Sequence, residues 1–115
     1  MQFITPTIEP TTECVTLTPD SDGAVTQALA QNRLYTIASS PALASLTLTA
    51  ATGLVYCGLD FVTGSTAPTL SYTSGWIWSG ADCNAGAFAP KATKSYRIAL
   101  ESNGVTICAT VQEVR

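Results

Sequence analysis

The side chains best able to do chemistry in this sequence are eight carboxylates, five basic residues and four cysteines, and no histidine accompanies them. A hydrolytic triad needs a base to take the nucleophile's proton, and without histidine the usual one is missing. Neither Lys91 nor Lys94 stands in a nucleophile motif that would replace it. The paired acids of a glycosidase would have to come from Asp60, Asp82, Glu101, Glu113 and the four N-terminal acids. Asp60 lies between Leu59 and Phe61 in an apolar run, and strand alternation turns it away from the face those two share. Asp20 and Asp22 with Gly23 carry a fragment of a calcium loop, but the full ligand spacing and the closing Glu are absent, so Pro19 to Gly23 reads as a turn. The expectation is a non-enzyme with no catalytic residues, no metal site and no cofactor.

The cysteines, Cys14, Cys57, Cys83 and Cys108, are too widely spread to form any Cys-x-x-Cys pair, which argues against zinc. Their three disulfide connectivities stay open. Cys57 and Cys108 sit inside apolar runs, where a free thiol packs as a small hydrophobe, whereas Cys83 lies in the polar stretch Ala81 to Gly86. Synthesis in a cytosol favours reduced thiols, and the N-terminal residues lack the basic and apolar regions of a secretory signal.

These residues must be positioned by a single domain. A chain of 115 residues with 46% hydrophobic and only 11% charged residues can bury a core and is far from the composition of disorder. Its surface must be built largely from Thr, Ser, Ala and Gly, which protect poorly against self-association, so a partner or an oligomer is expected to cover part of it. A net charge of −3 argues against nucleic acid. Lys91, Lys94 and Arg97 fall close in sequence but read as solvated charges. No apolar run approaches the length of a membrane span.

Residues 1 to 12, with Pro6 and Pro10, read as an extended N-terminal arm, either a loose terminus or a segment that docks on a neighbouring subunit, and residues 13 to 115 as one domain. Strand-type alternation recurs at Glu13 to Thr18, Leu34 to Ile37, Leu43 to Thr49, Leu54 to Val62, Thr69 to Tyr72 and Trp76 to Trp78. Ala24 to Gln31 fits helix or strand, and its all-β surroundings favour strand. Gly58 marks a bulge or a close backbone approach. Ser79 to Pro90 reads as a loop. Asn103-Gly104 between Tyr96–Leu100 and Val105–Val111 is a strong hairpin signal. Eight to ten short strands of this kind predict an all-β antiparallel sandwich or jelly roll, and the absence of local repeats argues against a solenoid.

From residue 54 to 113 the order Phe61-Val-Thr-Gly64, Pro68-Thr-Leu70, Trp78-Ser-Gly80, Pro90 and Tyr96-Arg-Ile98, followed by a hairpin, resembles small β-sandwich modules of tailed-bacteriophage virion proteins. Such modules occur in head fibres, collars and tail or baseplate fibres. The resemblance implies that Phe61, Trp78, Tyr96 and Ile98 form the module's core. It further implies a structural, non-enzymatic virion component assembled in the host cytoplasm as a symmetric homo-oligomer with other virion proteins as partners. Trp76 occupies a position where the pattern has a smaller apolar residue. Trp76, Tyr72 and Tyr56 are therefore the residues available for a contact surface, including the alternative of a carbohydrate-binding or adhesin module that stacks aromatics on a cell-surface glycan. Residues 1 to 53 have no counterpart in the pattern.

Overall fold

The computed structural model describes residues 12–73 and 75–114. The arm expected at the N-terminus lies, apart from Thr12, outside the described residues. Those residues form strands only: β1 (Glu13–Leu17), β2 (Ala24–Leu29), β3 (Arg33–Ile37), β4 (Ser45–Ala50), β5 (Tyr56–Val62), β6 (Thr69–Tyr72), β7 (Trp76–Gly80), β8 (Cys83–Asn84), β9 (Ala87–Phe88), β10 (Ser95–Ser102) and β11 (Ile107–Val114). The ambiguous stretch after Gly23 is a strand, and the interval after β7 is no plain loop but the small antiparallel hairpin β8–β9.

The all-β expectation holds, but the strand arrangement is not that of a purely antiparallel sandwich. One sheet has the order β1-β3-β5-β10-β11-β7 and the other β2-β4-β6. Neighbours β1/β3, β3/β5, β2/β4, β4/β6 and β11/β7 run parallel, whereas β5/β10 and β10/β11 run antiparallel. The first six strands therefore alternate between two facing sheets and make three successive turns of a solenoid-like winding. Glu13 lies beside Arg33 and Leu34 beside Gly58; Ala24 lies beside Ser45 and Ser45 beside Thr69. Equivalent positions thus recur at intervals of 20 to 24 residues. This corrects the argument against a solenoid. The winding needs only an apolar residue at each inward position, so its turns repeat in backbone course without repeating in sequence.

Inward rows knit the windings together: Val15–Tyr35–Leu59 in the larger sheet, and Val25–Leu46–Leu70 and Gln27–Leu48–Tyr72 in the smaller. Leu29, Leu46, Leu48, Leu59, Ile98 and Leu100 are almost wholly buried between the sheets. Turn chemistry fixes each reversal. Asp20 Oδ1 accepts from the Asp22 and Ala24 amides at 2.9 and 3.0 Å, closing the first turn. Gln31 Oε1 accepts from Val55 N and Tyr56 N, both at 2.7 Å, and so ties the β2–β3 turn to the next one. Gly58 pairs in unbroken register, so it marks no bulge. A Cβ there would stand 3.1 Å from Leu34 Cδ1, which accounts for the glycine as a close approach.

The predicted hairpin closes the larger sheet. Ser102 pairs with Ile107, leaving a loop in which Asn103 Oδ1 accepts from Val105 N and Thr106 N. β7 joins β11 in parallel and is covered on its other side by the Gly86 carbonyl, which accepts from Trp78 N at 3.0 Å.

Candidate functional site

Phe61, Trp78, Tyr96 and Ile98 all lie in the core, at 1–2% exposure. Phe61, Trp78 and Tyr96 belong to a continuous aromatic column. Tyr72 packs on Trp76 and Trp78, Trp78 stacks on Phe88 at 5.3 Å, and Phe88 meets Tyr96 edge-on at 5.1 Å, with Phe61 beyond it at 5.5 Å. Trp76 is part of this column, stacked on Trp78 at 5.5 Å and only 6% exposed, with its Nε1–H donating to Thr73 Oγ1. Its expected place on a contact surface is corrected: β7 carries both indoles inward because residues two apart share a face. Tyr72 is half-buried against the same column, so Tyr56, 52% exposed, is the one residue of the proposed stacking group open to solvent. The Trp78 Nε1–H has no hydrogen-bond partner among the described residues.

The densest polar constellation was not foreseen. Asp82, held at φ 56° beside the β8–β9 hairpin, accepts the Tyr96 hydroxyl at 2.6 Å and Lys94 Nζ at 3.2 Å on Oδ2. Lys94 Nζ also donates to Glu113 Oε1 at 3.1 Å, and Lys91 Nζ stands 3.9 Å from Asp82 Oδ1. The Tyr96 hydroxyl accepts from Lys91 N, while Thr63 Oγ1 donates to the Lys91 carbonyl and accepts from Lys94 N. The hydrogen bond from Tyr96, and after it Lys94, holds the Asp82 carboxyl below its ordinary range against the opposing effect of burial. Glu113 and then Asp82 raise the Lys94 ammonium. Burial, followed by the Asp82 bond, pushes the Tyr96 phenol up to about 12. Through these contacts the cluster forms an ionic lock joining the β8–β9 hairpin to β10 and β11.

Of the remaining charges, Asp60 faces outward as alternation requires and grips Arg97 through two hydrogen bonds of 3.0 and 2.8 Å. Glu13 meets Arg33 at 3.4 Å. Lys91, Lys94 and Arg97 are thus each beside a carboxylate and form no open anion site. Cys57 is buried, and burial raises its thiol to about 11. Cys108 is exposed, contrary to expectation, because β11 turns Ile107, Ala109 and Val111 inward and Cys108 outward. Cys14 is exposed and Cys83 half-buried, and all four thiols are free.

The charges are distributed unevenly between the two sheets. None lies on β2, β4 or β6. The outer face of that sheet is a small array in register: Ala24–Ser45–Thr69, Thr26–Thr47–Ser71 and Ala28–Thr49. Parallel strands stand about 4.8 Å apart, so hydroxyls recur regularly over a face without charge or large side chains. The alternation of Ser45, Thr47 and Thr49 was legible in the sequence; the register that sets Thr26 and Ser71 on either side of Thr47 was not. No protein-family model, curated protein or solved structure matches the chain.

Proposed function

We propose that the chain is a non-enzymatic structural component of a tailed-phage virion, a head-decoration, collar or tail-fibre module that acts by oligomeric assembly. The observation that carries the reading is the charge-free hydroxyl face of β2, β4 and β6. An acidic protein meets its own copies with least repulsion through a face that bears no charge. A hydroxyl both donates and accepts, so Thr and Ser can bond to their own symmetry mates, as a self-complementary interface requires. The array is small, and a stable assembly therefore multiplies the contact by symmetry or by attachment to a larger particle. The order of Phe61, Gly64, Trp78, Gly80, Tyr96 and Ile98 resembles that of phage virion modules, and this resemblance supports the virion setting.

Light scattering behind a sizing column, on the parent chain and on Thr47→Asp, tests the assembly step. The parent should exceed one chain in mass, and a carboxylate in the middle of the array should disperse it while circular dichroism stays unchanged. A parent that remains a monomer at tens of micromolar, or an oligomer indifferent to Thr47→Asp, would rule out this face as the interface. The glycan reading now has Tyr56 as its only exposed aromatic among the three residues advanced for it.

A further inference from the structure

The loop between β10 and β11 brings together the parts of a reaction that the chain can carry out on itself. Asn103 and Gly104 are exposed there, above the last pair of the ladder, Ser102 with Ile107. The backbone nitrogen that follows an asparagine can attack the asparagine's side-chain carbonyl carbon and close a five-membered succinimide ring. A side chain on the attacking residue crowds that approach, and glycine has none. A Cβ on Gly104 would meet nothing within 4 Å, so the space beside the nucleophile is open.

The oxygen that takes up negative charge during the attack is Asn103 Oδ1. It accepts from Val105 N at 2.9 Å and from Thr106 N at 2.8 Å. Two backbone donors aimed at one carbonyl oxygen are the arrangement of an oxyanion hole, already in place before the charge develops. Both bonds exist in the neutral amide, but a hydrogen bond to a charged oxygen is roughly twice as strong. The pair therefore favours the tetrahedral intermediate over the starting amide, which is the condition for acceleration. The nucleophile has its own partner, since Gly104 N donates to Ser102 Oγ at 3.1 Å. A hydroxyl both accepts and donates, so Ser102 can take the amide proton while passing its own to water.

The other two asparagines lack this combination. Asn32 precedes Arg33 and Asn84 precedes Ala85, so each faces a nucleophile that carries a side chain, and Asn32 Oδ1 accepts from the Gln31 side chain. We propose that Asn103 is a self-modification site, converted through a succinimide to aspartate and isoaspartate by the loop that holds it. The bond from Gly104 N to Asn103 Cγ forms as that nitrogen gives its proton to Ser102. The Cγ–Nδ2 bond then breaks as Nδ2 takes a proton from water and leaves as ammonia. A water molecule opens the ring. Attack at the side-chain carbonyl gives aspartate, whose carboxylate can keep both backbone donors and hence the loop. Attack at the main-chain carbonyl gives isoaspartate, which lengthens the main chain by one carbon and breaks the spacing of the turn. Either product adds a negative charge beside Val105, the most exposed of the large apolar residues.

The test incubates the full chain at mildly alkaline pH, once folded and once in guanidinium chloride, and follows each asparagine by tryptic mapping. Cleavage after Arg33, Lys91, Arg97 and Arg115 leaves Asn32, Asn84 and Asn103 in three different peptides. Conversion reads as the mass gain of an amide becoming an acid, and isoaspartate as methyl transfer by an isoaspartyl methyltransferase. Asn103 should convert first, and about tenfold faster in the folded chain than in the denatured one. Ser102→Ala, with an unchanged circular dichroism spectrum, should slow the folded rate severalfold. A folded rate at or below the denatured rate overturns the proposal, because the loop would then protect Asn103. Conversion of Asn32 or Asn84 as fast as Asn103 in the folded chain does the same. Ser102→Ala converting as fast as the parent overturns the proton path through its hydroxyl.

Discussion

The Tyr96 hydroxyl donates to Asp82 Oδ2 at 2.6 Å, across a sequence separation that joins a strand buried in the aromatic column to a surface turn at positive φ. This bond is the pivot of the ionic lock, because the same hydroxyl accepts from Lys91 N and the same carboxylate accepts from Lys94. Tyr96→Phe keeps the stacking on Phe61 and Phe88 but leaves Asp82 and Lys91 N each short of a partner. A loss of about 1–3 kcal/mol in urea unfolding is expected, with the β8–β9 hairpin the first region to exchange its amide protons. An unchanged midpoint would show that Lys94 alone holds Asp82.

The lock sets a sign for pH dependence at both ends. Asp82 has a folded pKa below its unfolded value, so its contribution is present above about pH 4 and is lost as pH falls through the lower folded value. Asp82→Asn should flatten that acid limb. Tyr96 and Cys57 are raised, from 10.0 to about 12 and from 9.0 to about 11. Their contributions are complete below the unfolded values and are lost as pH rises through the folded ones. Thermal midpoints should therefore fall from about pH 9 upward, and less steeply in Tyr96→Phe. An alkaline limb identical in that variant would assign the decline to other groups.

Thiol accessibility differs by position. Cys14 and Cys108 should alkylate rapidly in the folded protein, Cys83 more slowly, and Cys57 only after denaturation, as intact mass against time would record. Fast modification of Cys57 would contradict its inward, buried place on β5.

Glycines at positive φ divide into crowded and open sites. Gly80 has φ +106°, and a Cβ there would collide with the Val111 carbonyl oxygen of the adjoining strand. Gly53 has φ +88° with nothing within 4 Å. Gly53→Ala should cost about 1 kcal/mol, the conformational term alone, whereas Gly80→Ala adds a backbone clash and should exceed about 3 kcal/mol or prevent folding. Equal midpoints for the two variants would mean that β7 can shift away from β11.

Both indoles lie in the column, so native tryptophan emission should be blue-shifted and weakly quenched by acrylamide, and indifferent to added cell-wall glycans. A glycan-induced shift would restore the adhesin reading.

The sequence by itself determined which residues share a face. Period-two alternation is a local property, and it set Leu46 with Leu48, Leu59 with Phe61 and Trp76 with Trp78 and marked Asn103-Gly104 as a hairpin, whereas Phe61, Trp78, Tyr96 and Ile98 were expected in the core from the resemblance; all of these but the hairpin residues are buried. It also excluded the usual histidine-based chemistry through residue types alone. What only the tertiary structure decided is which strand lies beside which. Parallel pairing of β1, β3 and β5, and of β2, β4 and β6, joins residues 20 to 24 positions apart, and no side chain at either position encodes its neighbour. Trp76 and Cys108 illustrate the limit: their faces follow from the parity of β7 and β11, which is fixed only once those strands pair in register. Asp82 illustrates it further, since a carboxylate in a polar loop gives no local sign that a distant tyrosine and lysine will close on it.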